Sequence, residues 1–154
     1  MSNPLPTLQP GDIMLYAGSG FVDWAIKLRT WSDVDHIEVY LGNQQSTASR
    51  NGIGVNTYPF RRDGLKYVRR PLGIFDLDAA TKYADAMKGT PYGYGDLGRF
   101  YLLNIPTKGV ICSQYGDLLF DAAGTVLFAE DYPAGSISPR DYRVTPLAKT
   151  IWTA

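Results

Sequence analysis

This chain of 154 residues carries one cysteine and one histidine, the two residue types best suited to covalent acyl transfer. Cys112 stands in Ile111-Cys112-Ser113-Gln114, and His36 in Asp35-His36-Ile37-Glu38-Val39-Tyr40-Leu41-Gly42. A thiol attacks a carbonyl carbon as its thiolate, which needs a nearby base or positive field. If the protein uses a thiolate with an imidazole base, these two residues must be the pair.

The elements that would position them are legible in the local pattern. Residues 36–42 alternate as a strand, with His36, Glu38 and Tyr40 on one face and Ile37, Val39 and Leu41 on the other. A helix is expected to begin near Cys112, with Tyr115, Leu118, Leu119 and Ala122 inward and Gly124 beyond its end. A cysteine at a helix N-terminus meets unpaired N–H groups and the positive dipole end, and both favour the thiolate. The backbone N–H groups of Cys112 and Ser113 can hold an oxyanion. His36 on a neighbouring strand can take the thiol proton and return it to a leaving group. Each residue alone also suits a structural role, since free cysteines are often plain buried hydrophobes.

The rest of the chain reads as alternating short elements. Strands are expected at residues 13–16, 45–49, 53–58 and 65–70, with Asn51-Gly52 as a turn. Helices are expected at residues 21–30, 77–88 and about 96–103, the second capped by Asp76 and burying Leu77, Ala80, Ala84 and Met87. Ser138-Pro139 opens a further helical turn. Residues 1–10, rich in proline, read as an extended arm, and residues 11–154 as one domain with a single core.

Composition narrows the partners. Lys plus Arg equals Asp plus Glu at 15 each, which gives no electrostatic case for nucleic acid or an anionic membrane. Arg61-Arg62 and Arg69-Arg70 read either as a small anion-binding patch or as solvated strand ends. One cysteine excludes an intrachain disulfide and a cysteine-rich metal site, and no ligand spacing for zinc is visible. No metal or organic cofactor is expected. Neither a signal peptide nor a transmembrane run of ~20 apolar residues is visible.

Several segments together resemble a family. Gly11-Asp12-Ile13-Met14-Leu15-Tyr16, then Trp24-Ala25-Ile26 with Thr30 and Ser32, then the His36 strand, resemble the opening of permuted papain-like amidases of the YaeF/YiiX kind. These are relatives of NlpC-type cell-wall peptidases and lecithin:retinol acyltransferase. Gly89-Thr90-Pro91-Tyr92 resembles that family's G-x-P-Y-D loop. Ile111-Cys112-Ser113-Gln114 resembles its nucleophile segment, and Ser138-Pro139-Arg140-Asp141-Tyr142 its closing turn. The resemblance implies a circularly permuted papain-like α+β fold, an antiparallel sheet packed against helices with the nucleophile at a helix N-terminus. It makes Cys112 the nucleophile, His36 the base and Tyr92 an active-site tyrosine near the oxyanion.

The chain departs from that pattern where the imidazole is oriented. Ungapped alignment puts Ala48 where the family has a polar residue on the following strand. Glu38, on the face of His36, is one replacement; Thr47 or Ser49 would serve if the register shifts by one. Asp35 replaces a serine, Gln114 an acidic residue and Gly93 an aspartate. The function implied is a cysteine amidase or endopeptidase working through an acyl-cysteine on a peptide, amide or ester, with bacterial peptidoglycan peptides leading. A lipid acyltransferase or esterase is an alternative. So is a non-catalytic module of a phage particle or secreted assembly, for which eleven tyrosines and three tryptophans supply binding surface.

Overall fold

The computed structural model describes residues 3–18, 32–93, 110–129 and 137–154. The helices expected at residues 21–30 and about 96–103 lie outside the described residues. Six antiparallel strands form one sheet: β1 (Ile13–Tyr16), β2 (His36–Gly42), β3 (Gln45–Arg50), β4 (Gly54–Pro59), β5 (Leu65–Pro71) and β6 (Ala148–Thr153). Their order is β4-β3-β2-β1-β5-β6. All four residues of β1 are buried, as expected of a central strand covered on both faces. Asn43 and Gln44 have φ of 50° and 59°, so a two-residue turn of mirror-image type joins β2 to β3 and sets their register.

Three helices are described: α1 (Leu77–Met87), α2 (Cys112–Ala122) and α3 (Pro139–Val144). Asp76 caps α1 by accepting from the Ala79 N–H at 3.0 Å. Asp141 ties the start of α3 by accepting from the Ser138 N–H at 2.8 Å and its Oγ at 2.6 Å. The helices cover one face of the sheet, where Ile13, Leu15, Ile37, Val39 and Val55 pack with Ala80, Ala84, Leu119 and Phe120. On the opposite face lie Met14, Tyr16, Tyr40, Leu65, Val68 and Trp152, against which Leu5, Leu8 and Phe60 pack. The proline-rich segment therefore lies across the sheet, and its Asn3 carbonyl accepts from Arg62 Nη2 and Trp152 Nε1.

The inner face of α2 differs from the expected one. Tyr115 and Leu119 are buried as expected, but Leu118 and Ala122 are exposed, and Gly116 and Phe120 take the remaining inward places. A Cβ on Gly116 would collide with Ile37 Cδ1 and stand 2.9 Å from Tyr142 Oη, so the helix backbone rests directly on β2 and α3. Strand β6 was not expected. It is an edge strand whose Lys149 and Thr150 are exposed, and it lacks a clear apolar alternation.

Candidate active site

Position begins with β2, whose first residue is His36, paired with Tyr16 at the end of β1. One helical turn after Cys112, Gly116 seats α2 on Ile37, the neighbour of His36. The segment entering α2 is clamped from both sides. Val110 N–H donates to Pro91 O at 3.2 Å, and Val110 O accepts from Gly93 N–H at 3.2 Å and Ser49 Oγ at 2.6 Å. Ile111 offers no side-chain acceptor to the helix start; instead Gln114 Oε1 accepts from the Ile111 N–H at 3.3 Å. Gln114 thus works as a structural cap. Ser113 is fixed by its Oγ donating to Ile137 O at 2.6 Å and its carbonyl accepting from Tyr142 Oη at 2.7 Å. Cys112 N–H and Ser113 N–H lie in the first turn, which has no intrahelical acceptors.

The imidazole sits between the thiol and a carboxylate. His36 Nε2 stands 3.2 Å from Glu38 Oε1. The other ring nitrogen is not taken by Glu38, and the nearby Cys112 thiol acts on the proton affinity of the ring. Burial works to lower the His36 pKa, but the Cys112 and Glu38 hydrogen bonds and charges outweigh it and raise it to about 9. Glu38 is wholly buried. Burial works to raise its pKa; His36, Ser46 and Arg50 hold it down to about 2. Glu38 Oε2 accepts from Ser46 Oγ at 2.5 Å, and Oε1 from Arg50 Nε at 3.0 Å and Nη2 at 2.8 Å. Arg61 Nε lies 3.5 Å away. Two rings support these cations, with Arg50 over Tyr58 at 3.7 Å and Arg61 over Tyr16 at 4.4 Å.

The register explains this grouping. Tyr40 pairs with Ser46, so Ser46, Ala48 and Arg50 share the face of Glu38 and His36. Thr47 and Ser49 point to the helix face, and the expectation that either orients the imidazole is corrected. Thr47 Oγ1 lies 2.7 Å from Tyr115 Oη and donates to Asn56 O, while Ser49 donates to Val110 O. Tyr92 is buried and bridged through its backbone to Val110, two residues before Cys112. Asp35, in the family's serine position, accepts from the Gly18 N–H with both carboxylate oxygens at 3.0 and 2.9 Å. Sequence reasoning missed Ser46 and Arg50; the alternation of β3 opposite β2 was the available signal. The two arginine pairs do not form one patch. Arg61 joins the site, Arg62 and Arg70 hold the N-terminal segment, and Arg69 is buried elsewhere.

A cavity of about 170 Å³ opens beside the imidazole, with Tyr16, Asp35, His36, Arg50, Asn51 and Arg61 among its walls. Among the described residues, no helix is long and apolar enough to cross a membrane.

No family model matches the chain, and no curated protein matches it. Among solved structures, it is similar to the crystal structure of YiiX from Escherichia coli O157:H7, described as a metalloprotein of the group DUF1105. The TM-score is 0.70 at 19% identity, over 95% of this chain and 97% of that one. The described residues do not fit a metal: no three His, Cys, Asp or Glu side chains are placed to hold one. Both oxygens of Glu38 and the Nε2 of His36 are engaged within the site. At this identity the likeness is one of fold, and the chain has the YiiX-like, papain-like α+β architecture that the sequence motifs implied.

Proposed function

We propose that the protein is a cysteine hydrolase that cleaves an amide or ester through an acyl-cysteine intermediate. The supporting observation is the contact of buried Glu38 with His36, together with a thiol at the N-terminus of α2 that acts on the same ring. With His36 as imidazolium, the positive ring and the helix N-terminus both stabilise negative charge on the sulfur. The thiolate attacks the acyl carbon, and a C–S bond forms as the carbonyl π pair moves to oxygen. The N–H groups of Cys112 and Ser113 face that developing charge, with Tyr92 as a further candidate donor. Collapse breaks the C–N or C–O bond, and His36 gives its proton to the departing group. Water then attacks the thioester with His36 taking its proton, and the thiolate leaves. Glu38 keeps the ring oriented and offsets its charge throughout. Residues 11–154 act as the catalytic domain in this reading. Peptides of the bacterial cell wall lead as substrates by family resemblance, with lipid esters second.

The experiment is acyl trapping with p-nitrophenyl acetate followed by intact-mass analysis. One acetyl group is expected on Cys112, none on Cys112→Ala, and a rate lowered about 10²–10⁴-fold in His36→Ala. Acetylation of Cys112 at the same rate in wild type and His36→Ala would instead favour the non-catalytic binding module.

A further inference from the structure

Both oxygens of Glu38 are engaged, and they are shared unequally. Oε2 accepts from Ser46 Oγ at 2.5 Å. Oε1 meets three nitrogens: Arg50 Nη2 at 2.8 Å, Arg50 Nε at 3.0 Å and His36 Nε2 at 3.2 Å. A guanidinium fork commonly gives one N–H to each carboxylate oxygen. Here both prongs fall on the oxygen that serves the imidazole. That oxygen has two lone pairs, so Arg50 and His36 contend for them, and the Arg50 contacts are the shorter.

Arg50 is built into this place. It ends β3, pairs with Gly54 at the start of β4, and shares the sheet face of Ser46 and Glu38. Its guanidinium lies over the Tyr58 ring at 3.7 Å, and Tyr58 Oη donates to Gly54 O at 2.9 Å. The end of the β3–β4 hairpin thus holds the guanidinium against the carboxylate. Arg61 is the weaker neighbour, 3.5 Å from Oε1 and 43% exposed against 23% for Arg50.

This sharing bears on the chemistry. Hydrolysis moves the ring proton more than once, and an acid or base works best when its proton affinity lies near the working pH. A buried carboxylate acting alone holds an imidazole proton firmly. A second cation on the same oxygen repels the imidazolium and loosens that proton. The other groups around the ring are Cys112 from α2, Tyr16 from β1 and the preceding Asp35, whose oxygens are turned to the Gly18 N–H.

Resting on the hydrolase reading, we propose that Arg50 is a positioning residue: its fork fixes Glu38 against His36, and its charge limits how firmly Glu38 holds the ring proton. Fork and charge can be separated. Arg50→Lys keeps the charge without the fork, and Arg50→Gln loses both.

His36 is the only histidine of the chain, so its ring resonances titrate alone in an NMR spectrum. We expect the His36 midpoint to rise by about one pH unit in Arg50→Gln and to stay at the wild-type value in Arg50→Lys. Single-turnover acetylation of Cys112 by p-nitrophenyl acetate should fall about tenfold in both variants, because the carboxylate is no longer pinned. A purely structural Arg50 would lower the melting temperature in both and move no midpoint. A midpoint that stays or falls in Arg50→Gln, or acetylation at the wild-type rate in Arg50→Lys, overturns the proposal. If wild-type Cys112 does not acetylate, the hydrolase reading fails, and the midpoints alone decide whether Arg50 governs the imidazole proton.

Discussion

Glu38 in β2 and Arg69 in β5 are both charges buried within one sheet, yet they are satisfied in opposite ways. Glu38 is met by other charges: His36, Arg50 and Arg61, with the Ser46 hydroxyl completing the set. Arg69 is met by dipoles. Its Nη1 donates to Tyr142 O at 2.8 Å, its Nη2 to Thr145 O at 2.9 Å and to Ala148 O, and its Nε has no partner among the described residues. Burial alone acts on Arg69 and lowers its pKa. Carbonyls near the end of α3 hold a guanidinium in place but cannot trade protons with it. The Glu38 set contains an imidazole that can trade a proton, its pKa raised to about 9, and opens onto a cavity. The Arg69 arrangement staples a helix to a sheet, whereas the Glu38 arrangement keeps an imidazole charged and aimed.

Removing Glu38 should break that contrast most severely. Glu38→Ala leaves His36, Arg50 and the exposed Arg61 without their shared carboxylate, at a cost of at most about 3–5 kcal/mol, since solvent screens the arginines. Glu38→Gln keeps the shape and isolates the chemistry. Acylation of Cys112 should fall about 10²–10⁴-fold. Its decline at alkaline pH, set by loss of the His36 proton, should move to lower pH because the carboxylate no longer holds that proton. An unmoved alkaline limb in Glu38→Gln would show that Glu38 does not act on the imidazole.

Arg69→Met sharpens the other side. Three carbonyl acceptors lose their donor, and unfolding free energy should drop by about 1–3 kcal/mol by denaturant titration. The pH profile of Cys112 acylation should keep its shape. A shifted profile would mean that the two buried charges are coupled and that the division drawn here is wrong.

The sequence made one half of this site easier to read than the other. The strand at residues 36–42 alternates strongly, so His36 and Glu38 were placed on one face from residue types alone, and β2 spans His36–Gly42. The partner strand, Gln45-Ser46-Thr47-Ala48-Ser49-Arg50, is almost wholly polar or small and has no apolar rhythm. Its facing depends on pairing with β2, and a slip of one residue reverses it. That is why Thr47 and Ser49 stood as orienting candidates while Ser46 and Arg50 went unread. The seat of α2 was hidden for a related reason. Its closest approach to the sheet is at Gly116, which has no side chain to register in an apolar pattern, while the conspicuous Leu118 faces outward.

Gly116 supplies a smaller test, because α2 is joined to the sheet by the absence of a side chain whereas α3 is joined by the Arg69 donors. Gly116→Ala forces a methyl against Ile37 and Tyr142, and overpacking of this kind costs about 1–3 kcal/mol. The helix can relieve it only by lifting from β2, which draws Cys112 away from His36. Acylation should therefore fall further than in Arg69→Met at equal loss of stability. Equal activity in the two variants would show that the seat of α2 does not set the sulfur–imidazole contact.

The mildest test leaves the sequence alone and varies pH. His36 is faced by Cys112 from α2, Glu38 from its own strand, Tyr16 from β1 and, through Glu38, by Arg50 and Arg61. Its pKa rises on folding from 6.5 to about 9, so its contribution is complete below about 6.5 and is lost as pH climbs through 9. Glu38 falls from 4.5 to about 2, so its contribution is complete above about 4.5 and fades as pH drops toward 2. Together they place the stability plateau of the cluster between about pH 4.5 and 6.5. Melting temperature measured across pH should decline by a few degrees above that range in wild type and in Arg69→Met alike. The decline should shrink in Glu38→Gln, where the folded imidazole is no longer held protonated. Identical alkaline slopes in wild type and Glu38→Gln would mean that the carboxylate does not hold the imidazole's proton, and the charge-paired half of the contrast would fail.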